Sequence, residues 1–186
     1  MSTQFPVGPT RDVQPGDTPD LNDGLLSRAM AVQNIARGTA CYIDAGNGLI
    51  TIGTTALGAE GASPFVPIES VDNSGDDGLE MSGVRPPQRV ALTFETVTGA
   101  LTLYPGDYVK VSAAVPGIVN KWIDGTDAAG LKYAVFLGIE AALLDRSTTT
   151  PFDETLTPGI VPDQSVTGAD GDQFVGWFQL VENPGA

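Results

Sequence analysis

Short runs in which apolar and polar residues alternate dominate the chain. In residues 39–53, TACYIDAGNGLITIG, two such runs flank the turn sequence AGNG. Alternation with a period of two is typical of a half-buried strand. The dipeptide Asn47-Gly48 favours a tight turn, because both residue types tolerate positive φ. This stretch therefore predicts a β-hairpin.

The same pattern recurs farther along the chain. Residues 89–112 alternate on either side of the turn dipeptides TG and PG. Further strand-like runs occur in VPGIVNKWID, LKYAVFLGIEAALL and DQFVGWFQLVE, whereas residues 71–88 and 146–173 have the Gly, Pro, Asp and Thr content of loops. With 23 Gly and 14 Pro in the chain, long helices are disfavoured. The predicted fold class is all-β, or mainly β with one short helix.

One segment departs from the alternating pattern. In residues 25–38, LLSRAMAVQNIARG, apolar residues recur at helical spacing, Asn22 or Asp23 could cap the start, and Gly38 could end the helix. The apolar residues of MAVQNI would also fit a strand. We predict that the one short helix lies here.

The N-terminal stretch has a different composition. Residues 1–24 contain four prolines among polar residues, and proline fixes φ and donates no hydrogen bond. We predict an extended arm that is not a packed element, followed by a single β-rich domain over residues 25–186. Phe5, Pro6 and Val7 give the arm an apolar tip, which is either a disordered chain end or a hook onto a neighbouring molecule.

The domain contains an internal similarity. ARGTACYIDAGNGLI aligns with YPGDYVKVSAAVPGIV, so that Gly38 matches Gly106, and about thirty residues later FVPIES at Phe65 answers to FLGIEA at Phe136. Convergent patterning of turn glycines and alternating apolar residues is the alternative explanation.

A duplication has a physical reason. A hairpin plus one strand is too small to bury its own apolar face, whereas two such units can share one core. We therefore predict two pseudo-repeated β units, at about residues 36–70 and 104–141, in a compact β-barrel or β-tulip-like domain.

Charge is the strongest bulk signal. Asp and Glu outnumber Lys and Arg by 23 to 9, which gives a net charge of −14. Such a surface repels phosphate backbones, so nucleic-acid binding is disfavoured. Many short acids with few lysines also suit a protein that works in concentrated salt. An ordinary acidic protein kept soluble by its charge is the alternative.

Several other function classes are disfavoured. No run approaches the roughly 18 apolar residues of a membrane span, and the N-terminus lacks the features of a secretory signal. Cys41 is the only cysteine, so no intramolecular disulfide can form, and we expect it to be a small buried residue in a strand. A reducing compartment, or assembly inside a cell, fits this best.

Candidate chemistry is sparse. The chain has no histidine, which removes the commonest general base and metal ligand. Glu69 and Glu140 could be paired catalytic acids, but an outward-facing residue beside an inward Ile is the simpler interpretation of each. DNSGDDGLE fails the EF-hand spacing, and a weak cation site there or at Asp170 and Asp172 is the less favoured alternative to a solvated loop. We therefore expect no enzyme activity, no cofactor and no metal.

The order YPGDYVKV, PGIV, FLGIEA, echoed by ARGTACYID, NGLI, FVPIES, resembles the small capsid decoration (cement) proteins of tailed viruses. The resemblance implies a β-barrel or β-tulip-like domain, often trimeric, that binds the outer surface of an icosahedral capsid and clamps neighbouring capsid subunits. It also implies an N-terminal arm that reaches adjacent subunits. The expected partner is the major capsid protein. The expected location is the capsid exterior of a virion assembled in the host cytoplasm, the host being halophilic or marine.

Contact residues follow from the same expectation, since exposed aromatic and apolar side chains dominate interfaces. The candidates are Phe5, Pro6, Val7, Trp122, Phe152 and Trp177. Two alternatives remain open. One is another head or tail component of a tailed virus, and the other is a carbohydrate-binding β module, for which Tyr104, Trp122 and Trp177 would have to form a flat platform.

Overall fold

The computed structural model describes residues 13–18, 27–31, 33–72, 78–138 and 165–182. Within them the first group of strands is β1 (Ser27–Ala31), β2 (Cys41–Ile43), β3 (Leu49–Ile52), β4 (Ser63–Pro67) and β5 (Leu79–Val84). The second group is β6 (Arg89–Glu95), β7 (Thr102–Leu103), β8 (Tyr108–Val111), β9 (Val119–Lys121), β10 (Ala134–Gly138), β11 (Val166–Thr167) and β12 (Gln173–Leu180). A five-residue helix, α1 (Thr55–Ala59), and a 3-10 turn (Ala129–Leu131) complete the elements. The predicted mainly β class with one short helix is confirmed.

The strands form two small closed barrels of the same topology. The first has the order β1-β3-β2-β4-β5 and the second the order β6-β9-β8-β10-β12, while β7 and β11 pair separately. In each barrel the first two strands of that order are parallel, and the other four pairings around the barrel are antiparallel. Closure leaves neither barrel an unpaired edge strand of the kind that invites aggregation.

Matching hydrogen bonds show that the two barrels also share their register. Gly53 N–H donates to Ala40 O at 2.8 Å in the first barrel, and Trp122 N–H donates to Tyr108 O at 2.9 Å in the second. The parallel pairing behaves in the same way, since Ala31 lies opposite Ile50 and Phe94 opposite Val119. The structure thus contains two units of the same topology, and each is larger than the predicted segments 36–70 and 104–141, because β1, β5, β6 and β12 all lie outside them.

One detail of the predicted repeat is wrong. Gly38 N–H donates to Pro67 O at 2.8 Å, whereas Gly106 N–H donates to Phe136 O at 2.9 Å. Pro67 therefore occupies the position of Phe136, two residues beyond the predicted partner Phe65. A shift of two keeps a side chain on the same face of a strand, and both phenylalanines are indeed buried. The residue pattern alone could not detect the offset.

The two barrels pack against each other through a continuous apolar cluster. The interior of the first barrel forms its own cluster, which includes Phe65 and Met81. A larger cluster joins the interior of the second barrel, with Phe94 and Phe178, to first-barrel side chains such as Tyr42 and Val66. Because β2 and β4 place residues alternately on their two faces, each strand serves both clusters.

Tyr133 links the barrels with directed bonds. Its side chain is fully buried, and its hydroxyl accepts a hydrogen bond from Cys41 N at 3.1 Å. The same oxygen lies 2.9 Å from Cys41 O and 2.9 Å from Phe65 O, to which it can donate. Its ring meets that of Tyr42 edge to face, with centroids 5.2 Å apart. One phenol from the second unit therefore satisfies backbone groups of β2 and β4.

The predicted helix at residues 25–38 is wrong for the part that the structure describes. Residues 27–31 form β1, in which Ala29 and Ala31 face inward while Arg28 and Met30 are exposed. This strand closes the first barrel between β3 and β5, so tertiary pairing overrides the local helical spacing. The one helix observed follows β3 instead, where the Thr54 hydroxyl accepts a hydrogen bond from Leu57 N.

Part of the predicted arm is packed. Within residues 13–18, Gly16 N–H donates to Ala91 O and Asp17 O accepts from Ala91 N, both at 2.8 Å. Asp17 also forms an ion pair with Arg37. β9 pairs with β6 at Phe94, and the bonds of the arm to Ala91 continue the pairing of β6 beyond that point. The prediction of an unpacked arm therefore fails for this segment, which is pinned at the junction of the two barrels.

Two truncated chains, one that keeps this segment and one that lacks it, should differ in their free energy of unfolding. Deleting residues 2–12 spares these bonds, so we expect the free energy of unfolding in urea to stay within about 0.5 kcal/mol of the full chain. Deleting residues 2–18 removes two backbone bonds and leaves Arg37 without Asp17, and we expect a loss of about 1–3 kcal/mol. Equal stabilities for the two truncated chains would contradict this role of the segment.

Candidate binding groove

A groove of about 640 Å³ lies on one side of the second barrel, between the segments 99–108 and 121–124. Six large hydrophobic side chains are exposed among the described residues, and four of them line this groove together with Trp122. The four are Leu101, Tyr104, Tyr108 and Ile123. Exposed apolar side chains are ordinary when scattered, whereas a cluster of this kind is a candidate contact surface.

The aromatic rings of the groove are held in place. Trp122 Nε1–H donates to Ala128 O at 3.0 Å, and the Tyr108 ring meets the Trp122 ring at 78° with centroids 6.1 Å apart. Lys132 Nζ lies 4.2 Å from the Tyr108 centroid and 4.3 Å from the Trp122 centroid, within the range of cation–π attraction. Lys132 is not a lining residue. It therefore supports both rings without filling the groove.

Two lysines in and beside the groove form ion pairs with aspartates. Lys121 Nζ lies 2.7 Å from Asp107 Oδ2, and Lys110 forms an ion pair with Asp127. Together with Lys132 these are the only lysines of a chain whose net charge is −14. The groove is thus a locally balanced region on a strongly acidic molecule.

The corresponding face of the first barrel is built differently. By the matching hydrogen bonds, Ala40 and Gly53 stand at the positions of Tyr108 and Trp122. A Cβ on Gly53 would lie 2.6 Å from Ala40 O and 2.9 Å from Val111 Cγ2 of the second barrel. Small residues are required there because that face packs against the other unit, whereas in the second barrel the same face is open and carries large rings.

The predicted contact residues do not all meet. Trp122 lines the groove, as does Tyr104. Trp177 lies on β12, half-buried and facing outward opposite Ala91, and is not a lining residue. The three-residue platform expected of a carbohydrate-binding module is therefore not formed. Four other predicted contact residues lie outside the described residues, namely Phe5, Pro6, Val7 and Phe152.

The acidic candidates serve local structure where they are described. Glu69 is exposed and accepts from Ser82 N at 2.5 Å, while Glu140 lies outside the described residues. Asp172 accepts from Ala169 N at 2.8 Å and so closes its own turn; most of DNSGDDGLE is likewise outside the described residues. Among the residues described, no three His, Cys, Asp or Glu side chains cluster as a metal site would require.

Cys41 is buried in β2, as predicted. Burial raises the pKa of its thiol from 9.0 to about 12. It also raises the pKa of the neighbouring phenols Tyr42 and Tyr133, and the proximity of Cys41 adds to the shift of Tyr133. A thiol that stays protonated and inaccessible is a packing group, because the thiolate is the reactive form.

These shifts predict a loss of stability at alkaline pH. The stabilisation is fully present below the pKa of the unfolded thiol, and it falls as pH rises above about 9 because only the unfolded chain then loses the proton. We expect Cys41 to account for about 1 kcal/mol of the loss by about pH 10. Urea unfolding of the parent chain and of Cys41→Ala between about pH 8 and pH 10 measures it. Parallel pH profiles for the two chains would show that the thiol contributes nothing.

The sequence contained the information that identifies the groove, but the aromatic residues were assigned to the wrong group. The alignment of the two units already places Tyr104 and Tyr108 opposite Ala36 and Ala40, a change from small to aromatic that marks the open face. Counting aromatic residues alone instead joined Trp122 to the distant Trp177.

Within the described residues no helix is long and apolar enough to cross a membrane. No protein-family model matches the chain, and no curated protein is similar to it.

Proposed function

We propose that the protein is a structural component of a virion, which binds the outer surface of an icosahedral capsid and stabilises it by clamping neighbouring subunits of the major capsid protein. Its resemblance to capsid decoration proteins motivates the proposal. The observation that carries it is the open aromatic groove on a two-barrel body. Such a groove offers an exposed surface for contact rather than an enclosed site for a reaction.

The scaffold suits a clamp. Two closed barrels joined through Tyr133 and a continuous core give a body that loses little conformational freedom on binding, which favours affinity. Residues 13–18 hold the end of the predicted arm at the barrel junction, so residues 1–12, with the apolar tip Phe5-Pro6-Val7, would act as a second contact. Several weak contacts per molecule then add through effective concentration, and a homotrimer would multiply them.

The acidic surface fits the same proposal in a halophilic or marine setting. A net charge of −14 opposes close contact at low ionic strength, and salt shortens this repulsion to a few ångströms. Attachment should therefore be measured at both low and molar salt concentrations.

Co-sedimentation with capsid shells tests the proposal. Shells of the encoding virus, assembled without this protein, are mixed with the full chain and separated on a density gradient. We expect saturable attachment at a fixed ratio of protein to capsid subunit, and weakening by at least about tenfold after deletion of residues 2–12. That truncation spares the contacts of residues 13–18, so a loss of attachment would not reflect unfolding.

The matched control is Leu79→Ala, which removes an exposed apolar side chain of the first barrel, away from the groove. Its attachment should equal that of the full chain. If the full chain remains unattached at every salt concentration, the capsid proposal is wrong. If it attaches and the deletion of residues 2–12 has no effect, the arm is not a contact.

A further inference from the structure

The barrel topology does not by itself require the rings of the groove. The first barrel has the same topology and the same hydrogen bonds with Ala36, Ala40 and Gly53 in place of Tyr104, Tyr108 and Trp122. Tyr104 remains 55% exposed and Tyr108 37% exposed. Large aromatic side chains left in solvent at positions where the fold accepts small ones indicate a surface kept for a ligand.

The rings are presented as fixed faces. Ala128 O holds the Trp122 indole, and Lys132 lies against the Tyr108 and Trp122 rings without lining the groove. Lys121 Nζ lies 5.6 Å from the Tyr104 centroid and is tied to Asp107. A ligand that stacks on these rings pays little to order them.

The polar groups between the rings favour an uncharged ligand rich in hydroxyls. Lys121 is paired with Asp107, and Lys110 with Asp127. The remaining charge of the lining, Asp124, is offset by Lys132 beside the Tyr108 and Trp122 rings, so the groove region has no net charge to attract an ion. At the rim Asp124 is exposed and uses one carboxylate oxygen to accept from Gly125 N. Carboxylates accept hydrogen bonds from hydroxyl groups, whereas a proline-rich peptide has few donors to offer them.

We propose that the groove binds a neutral oligosaccharide, whose pyranose C–H faces stack on Tyr104 and Trp122 while its hydroxyls reach Asp124 and Lys121. The groove volume of about 640 Å³ falls within the roughly 300–1,000 Å³ of small-ligand sites, which suits a short chain of sugars. This site differs from the platform rejected above, because Trp177 has no part in it. It lies in the same groove as the proposed capsid contact, but titration with free sugars tests it without capsid shells, so failure of one proposal is distinguishable from failure of the other.

Tryptophan fluorescence tests the site directly. The chain has two tryptophans, so Trp177→Phe leaves Trp122 as the sole reporter. The full-length Trp177→Phe protein is titrated with cellohexaose, maltohexaose, mannohexaose, xylohexaose and chitohexaose. We expect saturable change with at least one of them at a Kd of about 1 mM or below. In the same background Tyr104→Ala should raise that Kd at least about tenfold, and Tyr104→Phe, which keeps the ring, should leave it nearly unchanged.

Three results would overturn the proposal. The first is an absence of saturable change with all five sugars up to about 10 mM. The second is binding whose Kd is unchanged by Tyr104→Ala. The third is stronger binding of an anionic probe, oligogalacturonate, or of decaproline, because these would assign the groove to a charged glycan or to a peptide. Tyr104 is exposed and belongs to neither core cluster, so its substitution should not unfold the protein.

Discussion

Replacing Tyr133 with Phe should lower the free energy of unfolding by about 2–4 kcal/mol. The phenol is fully buried, accepts from Cys41 N, and lies within 2.9 Å of Cys41 O and Phe65 O. Phe keeps the ring and its edge-to-face contact with Tyr42, so the loss isolates the hydroxyl. Without it, buried backbone groups of β2 and β4 lack that partner, and each group left unsatisfied costs about 1–3 kcal/mol.

Urea unfolding followed by circular dichroism measures the change. Tyr108→Phe is the matched control, because it removes the same hydroxyl from an exposed ring, and it should alter stability by less than about 0.5 kcal/mol. If the two variants were equally stable, the bonds of Tyr133 would not join the barrels as described.

Gly83→Ala should destabilise the protein by about 3 kcal/mol. Gly83 lies in β5 opposite Ser27 and Pro67. A Cβ there would stand 2.3 Å from Phe65 Cζ and 2.6 Å from Val66 O. Phe65 fills the first barrel and is fully buried, and a backbone carbonyl cannot rotate away. The strand must therefore shift, and closure of the barrel passes that shift to its neighbours.

The control substitution is Gly46→Ala, in the exposed loop between β2 and β3, where the nearest atom to a Cβ is Asp44 Oδ1 at 3.2 Å. It should cost less than about 1 kcal/mol. Thermal melts of the two variants distinguish the sites. If Gly83→Ala were as stable as Gly46→Ala, β5 would have space for a Cβ that the structure does not show.

The sequence was sufficient to predict the local strand pairings and the existence of a repeat. Alternation and turn glycines identify the β2–β3 hairpin, whose Ile43 lies opposite Ile50, and they align Gly38 with Gly106. The closing strands of each barrel were harder. β1 carries helical spacing, and its strand conformation depends on partners in β3 and β5 that local pattern does not contain.

The candidate site shows the same division. Exposed aromatic residues suggest a contact surface, and Trp122 and Tyr104 do belong to one. Which aromatic residues share a face depends on strand order, and β12, which carries Trp177, is not a neighbour of β8 or β9. The balancing of Lys110 and Lys121 by Asp127 and Asp107 likewise depends on three-dimensional contacts. Composition alone gives only the net charge.

The proposed clamp depends on the two barrels acting as one rigid body, with the shared core and Tyr133 joining them. Differential scanning calorimetry of the full chain tests this most directly. One folding unit requires a single transition whose calorimetric enthalpy equals the van't Hoff enthalpy, and this is the expected result. Two separable transitions, or a calorimetric enthalpy about twice the van't Hoff value, would mean that the barrels melt independently and would contradict the account.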